Sequence, residues 1–176
     1  MPQGQMQFDL PDCFLLSDVR LIEGCQHMTL PYDLLLVRHG QSEGNLARRR
    51  SEEGDHSVFT PAFKDRHTAS YRLSGVGRSQ ARAAGSYIQE AFCREGIGFD
   101  RYITSEYNRA METAGLLDLL GASWYCDFNL TERDWGDLEG LPEDERQARF
   151  GDALRRQEIE PFFWRPQNGE SFAQLC

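Results

Sequence analysis

The chain has 176 residues, 40% of them hydrophobic, which is enough to bury a core and argues against global disorder. Its formal net charge of −9 excludes a general affinity for nucleic acid or anionic membranes, and no apolar run is long enough to span a bilayer. An anionic substrate would therefore need a local positive pocket inside a negative exterior.

Residues Met1 to Leu30 are weakly patterned and lack the basic start and apolar stretch of a signal peptide. They read as an N-terminal extension, with the main domain spanning 31–176 and Met28 as an alternative start. The apolar run from Tyr32 to Val37 predicts a buried first strand that stops abruptly at Arg38-His39-Gly40. A histidine at the carboxyl end of such a strand sits where open α/β sheets place their chemistry. Gly40 permits a tight turn, Arg38 offers a planar fork for phosphate, and Asn45 adds an amide donor. Ser42 to Ala47 predict a short helix whose amino terminus would aim N–H groups at an anion.

Arg48 to Arg72 holds no period and reads as a long loop, with Arg48 to Arg50 either a solvated face or a reach toward a distal substrate charge. Ser74 is a plausible cap for a helix that buries Ala81, Ala84, Ile88 and Phe92 and stops by Gly96. Phe99 to Ser105 predict a second strand. A helix follows over Glu106 to Leu120, with Ala110, Ala114 and Leu117 inward and Arg109 in its first turn. Ser123 to Phe128 predict a third strand. Pro142 then opens a helix with Glu143, Asp144 and Glu145 first and Arg155 and Arg156 last, an order that suits the helix dipole.

The five cysteines, Cys13, Cys25, Cys93, Cys126 and Cys176, show no metal-ligand or redox spacing and read as reduced thiols of a cytoplasmic protein. Nothing in the sequence asks for a metal or other cofactor.

Four strings give the chain a recognisable order: Arg38-His39-Gly40 with Ser42 and Asn45; Leu73-Ser74-Gly75 with Gln80-Ala81; Ser105 with Arg109-Ala110 and Thr113-Ala114; and Glu132-Arg133-Asp134-Trp135-Gly136 with Leu138 and Gly140-Leu141. Together with Gly169-Glu170-Ser171 they resemble the histidine phosphatase superfamily, which includes the cofactor-dependent phosphoglycerate mutases. The resemblance implies an α/β fold of phosphoglycerate mutase type, a three-layer sandwich with a mostly parallel central sheet flanked by helices. It implies His39 as the nucleophile that takes the phosphoryl group, Arg38 and Arg109 as its phosphate-binding flanks, and Glu132 as general acid and base. It also implies Ser42 and Asn45 beside the phosphate, and Arg133 and Trp135 against the non-reacting part of a small phosphorylated metabolite.

The sequence departs from the family pattern at two points. Glu106 stands where the family often has proline. The second family histidine has no counterpart, since the histidines are His27, His39, His56 and His67. The chain is therefore expected to be C-terminally incomplete, without the last strand or strands and helix, and to be poorly stable or prone to associate. The expected function is metal-independent phosphoryl transfer through phosphohistidine, with hydrolysis of a small phosphomonoester fitting better than mutase-type transfer. A non-catalytic remnant that binds phosphorylated ligands is the reading from a different class.

Overall fold

A computed structural model describes residues 34–92, 94 and 96–175. The chain divides into two compact units, Met1–Arg38 and His39–Cys176. The N-terminal extension, Met28 and all cysteines but Cys126 lie outside the described residues; Cys126 is an exposed free thiol.

In the first unit, Leu34 to Val37 form no strand, and Leu34 and Leu36 are 56% and 50% exposed. This corrects the buried strand expected over Tyr32 to Val37, of which Tyr32 and Asp33 lie outside the described residues. An apolar run becomes a buried parallel strand only where neighbouring strands and covering helices take its edges and faces. Among the described residues the only ladder joins β1 (Tyr102–Thr104) to β2 (Trp124–Cys126), in parallel, with Tyr102 opposite Trp124 and Thr104 opposite Cys126. Both strands are shorter than the sequence suggests, and the fold class is α/β with a small parallel sheet and helices.

The second unit opens with α1 (Glu43–Glu52), capped by Ser42. This helix is longer than expected because Arg48 and Arg49 form i,i+4 pairs with Glu52 and Glu53 on its exposed face. The supposed loop that follows is also partly ordered. Thr60 caps α2 (Pro61–Lys64), and a single 3-10 turn covers Thr68–Ser70. Phe63 stacks on Tyr71 with ring centroids 4.8 Å apart, and both pack with Ala47, Val58 and Phe59. No period was visible because this small core is assembled from residues far apart in the stretch rather than from one amphipathic element.

Helix α3 (Gly75–Ala91), capped by Ser74, packs on α4 (Asn108–Leu116). Gly85 is what lets them approach: a Cβ there would lie 2.0 Å from the Leu117 carbonyl oxygen. Helix α5 (Glu143–Ile159) starts after Pro142 with three acidic residues in its first turn, and α6 is the short Phe172–Leu175. The N–H of Glu143 donates to the buried Ser51 hydroxyl at 2.7 Å, which joins α5 to α1.

Candidate active site

The turn after Arg38 is held by backbone packing. A Cβ on Gly40 would lie 2.2 Å from the Gly77 carbonyl oxygen, and one on Gly77 would lie 2.1 Å from that of Gln41. These two glycines let the His39 turn rest directly on the first turn of α3. The Gly40 N–H donates to Thr113 Oγ1 at 3.2 Å, and the Thr113 hydroxyl donates to the Arg109 carbonyl at 2.7 Å. One threonine of α4 thus ties the histidine turn to the helical turn that carries Arg109.

Arg109 falls on the inner face of α4 and is only 4% exposed. Its Nε–H donates to His39 Nε2 at 3.1 Å, its Nη1 donates to the Thr68 carbonyl at 2.8 Å, and its Nη2 donates to Glu132 Oε2. Tyr107 lies beneath the guanidinium, with Cζ 4.5 Å from the ring centroid. A guanidinium carries five N–H groups, so these contacts fix its plane and leave hydrogens on Nη1 and Nη2 for further acceptors.

These partners also fix the histidine. His39 Nδ1 is 2.8 Å from the Gly40 carbonyl oxygen, which can only accept, so Nδ1 carries the proton. Arg109 Nε can only donate, so Nε2 presents its lone pair. This is the neutral tautomer that a nucleophilic imidazole requires.

Glu132 is joined to Arg109, yet its side chain is 54% exposed, so water or a leaving group can reach it. Glu139, from the same segment, accepts the Thr68 hydroxyl at 3.2 Å, and burial pushes its carboxyl above the ordinary carboxylate range. Burial likewise raises the Tyr107 phenol.

The residues expected to contact the substrate are placed unevenly. Ser42 is buried, and its hydroxyl takes the Asn45 N–H at 3.1 Å and donates to Asn45 Oδ1 at 2.9 Å. Oδ1 also takes the Ser42 N–H at 3.0 Å, which identifies it as the oxygen; Asn45 itself is exposed, with its Nδ2 left to donate elsewhere. The expected row of free helix N–H groups at α1 is reduced, because the Glu43 N–H goes to the Arg72 carbonyl and that of Asn45 to the cap. Arg38 is exposed and belongs to the first unit.

Arg133 is the outlier. It is 3% exposed, and none of its three guanidinium nitrogens has a hydrogen-bond partner. It sits among aromatic rings instead, 4.1 Å from the Trp135 centroid, 4.3 Å from that of Phe172 and 5.6 Å from that of Trp164. Desolvation pulls its pKa below the usual arginine value. Trp135 is part of this cage rather than a separate surface.

The model of the histidine phosphatase superfamily (branch 1) matches residues 34–176, a span that holds the histidine turn, the helix arginine and the loop glutamate. The chain belongs to the histidine phosphatase superfamily. A 2,3-bisphosphoglycerate-dependent phosphoglycerate mutase of Methylobacterium radiotolerans is 39% identical over 142 residues, 78% of this chain and 58% of that protein. One from Azorhizobium caulinodans is 38% identical over 123 residues, 68% of this chain and 50% of that protein. The chain thus spans between about half and three-fifths of the length of these curated relatives.

Structural likeness agrees on the fold. The alpha-ribazole phosphatase of Shigella flexneri aligns with a TM-score of 0.59 at 20% identity, covering 79% of this chain and 59% of that one. A mycobacterial glucosyl-3-phosphoglycerate phosphatase aligns with a TM-score of 0.57 at 25% identity, covering 78% of this chain and 58% of that one.

In this member of the superfamily, the sequence did not reveal the residues that support the candidate site. Thr113 was visible only as part of a motif string. Thr68 contributes a backbone carbonyl to Arg109, and a carbonyl leaves no trace in residue type. Tyr107 and Glu139 could have been suspected as neighbours of the Arg109 and Glu132 strings.

Proposed function

We propose that residues 31–176 form a histidine phosphatase domain that transfers phosphoryl groups through a phosphohistidine at His39, with hydrolysis of a small phosphomonoester as the overall reaction. The observation that carries this reading is the Arg109 guanidinium, which meets the His39 lone pair with one nitrogen and Glu132 with another.

In the first step the Arg109 Nε–H passes from His39 Nε2 to a phosphoryl oxygen, and the lone pair so released forms the N–P bond while the bond from phosphorus to the ester oxygen breaks. The leaving oxygen takes its proton from Glu132. An incoming phosphoryl group competes for the Arg109 N–H that Glu132 accepts, which releases Glu132 to carry that proton. Arg109 and, by resemblance, Arg38 neutralise the transferring oxygens, where positioning and electrostatics do most of the catalysis. In the second step water attacks phosphorus, the N–P bond breaks, and Glu132 takes the water's proton. Asn45 Nδ2 is suited to a phosphate oxygen. Arg133 would contact the remote part of a substrate only if Phe172 moved off it.

The mutase relatives favour a second reading, in which an alcohol of a phosphorylated acceptor replaces water in the second step. One experiment addresses both. The chain is incubated with a small phosphodonor under chelation and assayed for an acid-labile, base-stable adduct. Phosphate release is then compared with transfer to an added acceptor. An adduct lost in His39→Ala is expected, with phosphate release dominant. An adduct that persists in His39→Ala would overturn the assignment, and dominant transfer would favour the mutase reading.

A further inference from the structure

The segment that supplies Glu132 reaches Arg109 twice. Glu132 accepts directly from Nη2. Seven positions on, Glu139 follows the 3-10 turn Gly136–Leu138, and its Oε1 accepts the hydroxyl of Thr68, whose carbonyl in turn accepts Arg109 Nη1. At the arginine the directions are forced, since the guanidinium can only donate and the Thr68 carbonyl can only accept. The relay therefore runs from Glu139 through Thr68 to Arg109, and from Arg109 Nε to the His39 lone pair.

We propose that Glu139 is a positioning residue for His39, acting through Thr68 and Arg109. Thr68 opens a single 3-10 turn, which has little stability of its own. The loop around it is tethered elsewhere to other elements: Arg66 to Glu43, the Leu73 N–H to Glu112, and the Ser70 carbonyl to Asn108 Nδ2. The Glu139 contact is the tether at Thr68 itself, and it comes from the segment that carries the acid and base group. It therefore helps fix the position and plane of the guanidinium, which has one nitrogen on the nucleophile and another on Glu132. Burial pushes the Glu139 carboxyl pKa up, and the Thr68 hydroxyl opposes this by donating to its oxygen.

The proposal rests on His39 being the nucleophile, so its test includes a readout that needs no catalysis. In the full chain labelled with nitrogen-15 in histidine, the His39 ring is assigned by its loss in His39→Asn. Wild type is expected to show a proton on Nδ1 and a bare Nε2. Glu139→Ala should move the His39 Nε2 resonance toward that of histidine in water and slow phosphoenzyme formation about tenfold. Glu139→Gln, whose amide oxygen accepts the same hydroxyl, should retain both wild-type properties.

Thr68→Val should reproduce the loss, and the double variant should be no worse than either single one. An unchanged His39 ring in Glu139→Ala, a Glu139→Gln as impaired as the alanine variant, or additive losses in the double variant would each overturn the relay. If Glu139→Ala fails to fold, Thr68→Val alone decides, since it must still shift the ring. A wild-type ring in the stated tautomer that forms no phosphoenzyme would sink the phosphohistidine reading while leaving the positioning result standing.

Discussion

The Nε–H of Arg109 points at Nε2 of His39 from 3.1 Å, so one helix arginine fixes the tautomer of the histidine while another of its nitrogens holds Glu132. Lysine cannot reproduce this, because an ammonium is a point charge without a planar fork. Arg109→Lys is expected to slow phosphoenzyme formation about a hundredfold, the scale of losing a preorganised transition-state donor. Stopped-quench assays of adduct formation, with circular dichroism to show an intact fold, would check it. A variant within a few-fold of wild type would mean that the fork is dispensable.

Glu132→Gln separates the two chemical steps. An amide can neither protonate a poor leaving group nor deprotonate water. With a donor whose leaving oxygen needs no proton, the variant should form phosphohistidine and hold it; with an alkyl phosphate it should form almost none. Equal turnover of adduct in variant and wild type would remove Glu132 from the second step.

Gly77→Ala tests the backbone contact beneath the histidine turn. The new Cβ would sit 2.1 Å from the Gln41 carbonyl oxygen, and backbone cannot swing aside as a side chain can. A loss of about 1–3 kcal/mol in denaturant unfolding is expected. Gly75→Ala is the control: nothing lies within 4 Å of its Cβ position, so it should be neutral or slightly stabilising.

Acid should act through Glu43. The Arg66 guanidinium beside it holds its carboxyl below the ordinary value of 4.5. A carboxylate depressed in the folded state contributes stability above its unfolded pKa and loses it as pH falls through the folded one. Melting temperature should therefore fall more steeply for wild type than for Glu43→Gln as pH drops below 4.5. Parallel curves would show that the Arg66 contact contributes nothing.

The Arg133 cage sets two effects against each other. Cation–π attraction to Trp135 and Phe172 contributes about 2 kcal/mol when desolvated. Each buried, unpaired polar nitrogen costs about 1–3 kcal/mol, and there are three. Arg133→Met is expected to raise stability by about 1 kcal/mol in chemical denaturation, and a lower stability would show that the cation–π term wins.

Much of the site was legible in the sequence because its polar residues sit in short strings of fixed spacing: His39 after an apolar run, Arg109 in the first turn of a helix, Glu132 before an aromatic-glycine turn. The strand expected before His39 was not, because a strand depends on partners far away in the chain, whereas an apolar run such as Leu34 to Val37 is local. Arg133 shows the same limit. The family resemblance implied a substrate contact, and only the convergence of Trp135, Trp164 and Phe172 reveals where its charge resides. The helix over Arg48 to Glu52 was hidden by a charge run that gives no amphipathic signal.

The excursion that begins after the His39 turn is closed at its neck. Ser42 bridges Leu73, the Glu43 N–H meets the Arg72 carbonyl at 2.8 Å, and the Ser74 N–H meets that of Gln41 at 2.9 Å. The chain leaves by the cap of α1 at Ser42 and returns to the cap of α3 at Ser74 in the same place, so everything between is a cassette on a fixed mount. Lineages could lengthen, shorten or exchange it, and so retune which phosphate ester is admitted, without disturbing the histidine. One atom limits that freedom: any replacement must return a carbonyl oxygen to the position Thr68 now gives it.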